Sequence, residues 1–170
     1  GVVPMRRAHR QRGLSMIETA LAVSMLGILL AVGVPSFLRY TEQGKTVEAA
    51  RQLQRLHAAE HAYYAASAES GPRGIFVAAR PLPGVPTAQR FPANAAVWTG
   101  APDWAALGFS IEHAHFYRYE VQAPTPGEGF TAVAQGDLNG NGNLSTFART
   151  TRVRGGELVA EPLRIVSELE

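Results

Sequence analysis

The chain has no cysteine among its 170 residues. That absence excludes a disulfide framework, a thiolate metal centre and thiol catalysis. It leaves an extracytoplasmic location open, because a chain of this length can build a core without disulfide staples. Charge is sparse as well: 18% of residues are charged and 46% are apolar, which is not the balance of a disordered or polyelectrolyte chain. One compact domain is the expected count at this length. Acidic residues are missing from the first thirteen positions, which hold Arg6, Arg7, Arg10 and Arg12. Of 16 basic residues these four leave 12, against 14 acids, so residues 14–170 carry about −2. The positive charge therefore belongs to a short N-terminal tag and not to a folded surface. Interleaved basic and aromatic residues, a phosphate-binding loop and a nucleophile elbow are all missing, so no nucleic-acid partner is expected.

A long apolar run comes directly after the tag. Residues Leu14 to Leu38 read LSMIETALAVSMLGILLAVGVPSFL, with Glu18 as the single charge. About 20 predominantly apolar residues cross a bilayer, and the arginines on the N-terminal side favour a cytoplasmic N-terminus. The rest of the chain then lies outside. A secretory signal has a shorter apolar core, about 7–15 residues, and ends at a small-residue cleavage site; neither feature fits. A plain signal anchor explains length and charge but not Glu18. An acid at the centre of a membrane helix costs about 2.5–3.5 kcal/mol, and less near the interface. Glu18 is thus either an acid at interface depth or one half of a charge pair.

Gly13-Leu14-Ser15-Met16-Ile17-Glu18 before an apolar helix resembles the prepilin processing motif of type IV pilins and of the pseudopilins of type II secretion. In those families a membrane peptidase cuts after the glycine and methylates the new N-terminus. The resemblance implies cleavage between Gly13 and Leu14, with Leu14 methylated in place of the more common Phe. It implies that Glu18 neutralises the N-terminal amine of a neighbouring subunit, which sets register because an isolated charge in hydrocarbon is costly. Gly27 and Pro35 match further family positions, between which the helix loosens in many filaments; proline removes a backbone donor and clashes with the preceding turn. The chain reads Gly-Val-Val-Pro before Met5, so translation starting at Met5 gives a nine-residue leader and at Gly1 a thirteen-residue one.

Residues 41–69 place Ala49, Leu53, Leu56, Ala59 and Tyr63 at spacings of three and four, an amphipathic stripe that continues the membrane helix, with polar residues on its other face. Residues 71–110 are rich in Gly and Pro and read as irregular loop, pinned by Trp98, Trp104, Leu107 and Phe109. Strand-forming runs occupy 116–121, 130–134, 144–153 and 157–160, with Gly155-Gly156 as a hairpin signal. The fold class expected is α+β: a long N-terminal helix packed on a C-terminal antiparallel sheet. The organisation expected is a leader at 1–13, a membrane or filament-core segment at 14–38, an amphipathic continuation at 39–69, and a head at 70–170 with a variable loop (70–114) and a sheet (115–161).

Three soluble motifs bear on chemistry. Asp137, Asn139, Asn141, Asn143 and Ser145 occupy positions 1, 3, 5, 7 and 9 of an EF-hand-like loop, with Gly142 at position 6. Ala148 stands where the bidentate Glu belongs, and one ligand is charged, so any calcium site is weak; the alternative is a polar turn. His57, Glu60 and His61 match the zinc-peptidase pattern H-x-x-E-H without a third ligand, and His113 and His115 form a second pair; all are read as ordinary helix-face and loop histidines. Asn143-Leu144-Ser145 fits the glycosylation acceptor pattern.

Together these features read as a non-enzymatic pilus-like filament subunit. It is made as a single-pass inner-membrane precursor with a cytoplasmic N-terminus and moves to a periplasmic or cell-surface filament. Its partners are pilin subunits, a prepilin peptidase, an inner-membrane assembly platform and, before assembly, lipid. No cofactor is required, calcium being optional. The alternatives are a type II secretion pseudopilin and a membrane-anchored binding module that does not polymerise and recognises partners through 71–110.

Overall fold

The computed structural model describes residues 15–168. The chain divides into two compact units, Gly1–Tyr40 and Thr41–Glu170. Helix α1 (Met16–Ser70) contributes to both. Beyond it run β1 (Ala79–Leu82), α2 (Ala95–Thr99), α3 (Pro102–Ala106), β2 (Arg118–Gln122), β3 (Gly129–Gly136), β4 (Ser145–Arg154), β5 (Glu157–Ala160) and β6 (Arg164–Val166). The arrangement is α+β, an apolar N-terminal helix followed by a helix and an antiparallel sheet, as the sequence pattern implies.

In the second unit the sheet order is β1-β2-β3-β4-β5, and β6 also pairs with β4. β3 and β4 pair in unbroken register from Gly129↔Arg152 to Gly136↔Ser145. Alternation sends Tyr119, Val121, Phe130, Ala132, Ala134, Phe147 and Thr151 to the buried face. Gly129 is required by crowding, because a Cβ there would collide with the Thr151 carbonyl. Gly155 and Gly156, with φ of 60° and 88°, form the two-residue turn between β4 and β5, which needs positive φ at both positions.

The apolar stripe of α1 meets this core: Ala49, Leu53 and Leu56 are buried, and Ala59 and Tyr63 pack against them. The polar residues do not simply fill an outer face, however. Thr46, Gln52 and Glu60 are buried. Polar side chains of α1 reach the backbone of the head, Ser67 Oγ at the Ile75 amide (2.9 Å) among them. Lys45 Nζ donates to the Leu138 carbonyl at 3.1 Å and Arg55 to the Ser110 carbonyl at 3.2 Å. Glu48 accepts from the Phe116 amide at 2.9 Å and Glu60 from the Val77 amide at 3.2 Å. Each satisfies a loop backbone group that no strand would pair.

The stretch 71–110, expected as irregular loop, is more ordered than that. It holds the edge strand β1 and two five-residue helices. Five residues are too few to show a period, and each helix starts on a local signal instead. Asn94 accepts the Ala96 amide at 3.2 Å as the cap of α2, and Pro102 opens α3. Trp98 and Trp104 are fully buried, edge to face with centroids 4.9 Å apart, and Phe109 packs edge-on to Trp98 and tilted against Trp104. The sheet also exceeds the expected 115–161 at both ends, through β1 and β6.

The Glu60 carboxyl is wholly buried, and its Oε1 has no hydrogen-bond partner among the described residues. Burial pushes its pKa up from 4.5 to about 7, opposed by the Val77 amide. A carboxyl whose folded pKa is raised is favoured when protonated, so its penalty on stability grows as pH rises from 4.5 to 7. Glu60→Gln is expected to gain about 2 kcal/mol relative to the parent between pH 5 and pH 8. Urea denaturation of the full chain in detergent micelles at the two pH values checks it; a pH-independent difference contradicts it.

Candidate functional site

The candidate site is the first unit of α1. Met16–Leu38 is a 23-residue stretch of mean hydropathy 2.2, with none of it buried within the chain. Met16, Ile17, Leu21, Met25, Leu29, Val32 and Phe37 all lie open. A helix that is apolar all round has no solvent-facing side, so it needs lipid or other protein. Ser24 and Ser36 do not interrupt this surface, because their hydroxyls donate to the carbonyls of Ala20 and Val32, both at 2.8 Å. A Cβ at Gly27 or Gly33 would meet nothing within 4 Å. Nothing in the isolated helix therefore requires glycine at either place. Pro35 lies inside α1, which continues through it.

Gly13 and Leu14, the expected processing site, lie outside the described residues. Glu18 is described, and its immediate partner is Ser15. The Ser15 amide donates to Glu18 Oε2 at 2.8 Å, and the Glu18 amide donates to Ser15 Oγ at 3.2 Å. This is a reciprocal capping box, in which side chains three residues apart satisfy each other's orphan amides at a helix start. Its signal is the sequence Ser15-x-x-Glu18, which an intermolecular role for Glu18 leaves out of account.

The remaining motifs fall in the second unit. His57 Nδ1 lies 3.0 Å from Thr151 Oγ1, Glu60 turns to the Val77 amide, and His61 is exposed. The three thus serve different neighbours, and among the described residues no three of His, Cys, Asp and Glu gather to hold a metal. Burial, and then Arg149 and His61, hold the His57 pKa below its usual value. His115 is buried and donates from Nδ1 to the His113 carbonyl at 2.9 Å; burial lowers its pKa as well. Glu48 is shifted upward, by burial first, against the amides of Phe116 and Tyr117.

The loop after β3 is a chain of side-chain-capped turns. Asp137 is buried and accepts the Gly140 amide at 2.7 Å on Oδ1 and the Gly142 amide at 3.2 Å on Oδ2. Asn139 accepts the Asn141 amide at 2.9 Å, and Asn141 accepts the Asn143 amide at 2.7 Å. Ser145 is buried and donates to the Glu168 carbonyl at 2.9 Å, so the hydroxyl of the glycosylation pattern faces inward. The turns of the loop rest on Asp137 and the two amides it accepts, and the Ser145 hydroxyl points away from them. Asp137→Ala is expected to destabilise the chain by about 1.5–3 kcal/mol, the range for hydrogen bonds to a charged group. Thermal denaturation in chelator and in millimolar calcium should show the same loss in both; a deficit confined to the calcium sample would restore the metal reading.

No protein-family model matches the chain, and no solved structure matches it. Over 55 residues it is 33% identical to the type IV major pilin protein PilA of Myxococcus xanthus (strain DK1622), a match covering 32% of this chain and 25% of that protein. The aligned part thus spans a quarter of the length of the curated relative. With the apolar helix and the α+β head, it supports a pilin-like relationship.

Proposed function

We propose that the protein is a structural subunit of a type IV pilus-like filament, made as an inner-membrane precursor and polymerised through its N-terminal helix. The observation that carries this reading is the fully exposed apolar stretch Met16–Leu38 in a chain whose head has a core of its own. Such a helix rests in lipid until other copies of itself cover it. The similarity to a major pilin points the same way. Polymerisation follows from a heterologous contact that repeats without closing. The positive leader orients the precursor and is removed by cleavage between Gly13 and Leu14. Glu18 then serves twice. Its Oε2 caps its own helix through Ser15, while Oε1 faces the amine of a neighbouring Leu14. Gly27 gives close approach to a neighbouring helix, and Pro35 a place where the helix yields on packing. The partners proposed are pilin subunits, a prepilin peptidase and a membrane assembly platform, and the destination is a periplasmic or surface filament. No catalytic role is assigned.

Gly13→Ala is expected to block processing, so the protein recovered from the native host keeps its leader by intact-mass measurement. A mature mass identical to the parent's would remove the peptidase step. Glu18→Ala should still be cleaved, yet yield no filaments in sheared-cell preparations viewed by electron microscopy; normal filaments would sink the charge-pair role.

A further inference from the structure

The two edges of the sheet are treated differently. At the β1 edge, α3 closes the strand: the Arg80 amide donates to Asp103 Oδ2 at 2.9 Å, and the Arg80 carbonyl accepts from Trp104 Nε1 at 2.9 Å. A strand whose outward groups are already bonded cannot recruit another. The opposite edge has no such cover among the described residues. β5 and β6 are exposed along nearly all their length, and Val159, Ile165 and Val166 are exposed large apolar residues there.

β5 and β6 together make one long edge strand. Thr151↔Ala160 and Arg152↔Val159 place β5 on β4, the Glu161 amide donates to the Thr150 carbonyl at 2.8 Å, and Ala148↔Arg164 resumes the pairing. Pro162 and Leu163 together oppose Arg149, a bulge of one extra residue. Alternation then sets which way each backbone points. Glu157, Val159, Glu161, Arg164 and Val166 bond toward β4, whereas Leu158, Ala160, Leu163 and Ile165 point outward.

We propose that this edge pairs, antiparallel, with the same edge of a second copy, joining two heads into a continuous sheet. A two-fold axis between Pro162 and Leu163 puts Ala160 opposite the other copy's Ile165, Glu161 opposite its Arg164, and Val159 opposite its Val166. The register satisfies three independent conditions. Residues with outward backbone groups oppose each other, as hydrogen-bonded pairs require. Glu161 meets Arg164 twice, by symmetry, as opposite charges, and the exposed valines meet each other, all on the same sheet face. Pro162, which has no amide to donate, sits at the axis opposite the other copy's Leu163, so the pairing loses one bond per copy there and keeps those on either side. Charges that protect an edge repel a copy of that edge; these attract it. Glu161 already pairs with Arg152 at 2.8 Å, so the new pairing adds a second cation to a carboxylate held in place. The proposal is independent of how the N-terminal helices assemble.

The absence of cysteine makes the test clean. Val159 and Val166 form a non-hydrogen-bonded pair in this register, about 4.5 Å between Cα atoms, which a disulfide spans. Full-length Val159→Cys and Val166→Cys proteins, each carrying Glu18→Ala to suppress helix-driven assembly, are oxidised in detergent micelles alone and mixed. The mixture should give a disulfide dimer several-fold more abundant than either protein alone. Glu161→Arg in both should lower it several-fold, and adding Arg164→Glu should restore it. Crosslinking no greater in the mixture than in the separate proteins overturns the proposal, as does indifference to the charge reversal.

Discussion

A helix that is apolar on every side cannot end its life in water, and the rest of this molecule is arranged around that constraint. Residues 16–38 carry no inward face and no charge except Glu18. The Ser24 and Ser36 hydroxyls bond back to their own helix. The one acid is tied to the first turn by Ser15. These polar groups each have a local partner, so the surface offered to lipid or to another subunit is continuous. The second unit, in contrast, is organised around an aromatic core of its own.

The second half of α1 works by a different means. Its apolar stripe is narrow and rich in alanine, and polar side chains complete the attachment. Lys45, Glu48, Arg55 and Glu60 each bond a backbone group in a loop. Two of these are carboxylates whose burial disfavours the charged form. The head is therefore fastened at points whose strength depends on protonation and geometry, and not on area alone.

Much of this is legible in the sequence. Hydrophobic period locates the stripe Ala49–Leu53–Leu56, and β-rich runs between turn residues locate β2 to β5, because period and turn chemistry are local properties. The large aromatics Trp98, Trp104 and Phe109 mark the anchor of their segment by size alone. The features that escape are those whose cause is tertiary. α2 and α3 are too short for a period to emerge. β6, three residues behind Pro162, exists because β4 runs on past β5. Glu60 and Gln52 read as surface residues until the rest of the fold is present; Glu60 meets the Val77 amide, and both are buried. At the candidate site the apolar helix and Glu18 are evident, and so is the capping-box spacing Ser15-x-x-Glu18, whose reciprocal hydrogen bonds the structure supplies. The leader site at Gly13 and Leu14 rests on the resemblance alone.

The turns after β3 have a chemical consequence. Asn139-Gly140 and Asn141-Gly142 are the dipeptides most prone to spontaneous deamidation, in which the glycine nitrogen attacks the preceding asparagine side chain to close a succinimide ring. Both of those nitrogens are engaged, Gly140 to one oxygen of Asp137 and Gly142 to the other. A single buried carboxylate thus holds two ageing-prone bonds away from ring closure. Such protection sets how long the head keeps its original covalent structure.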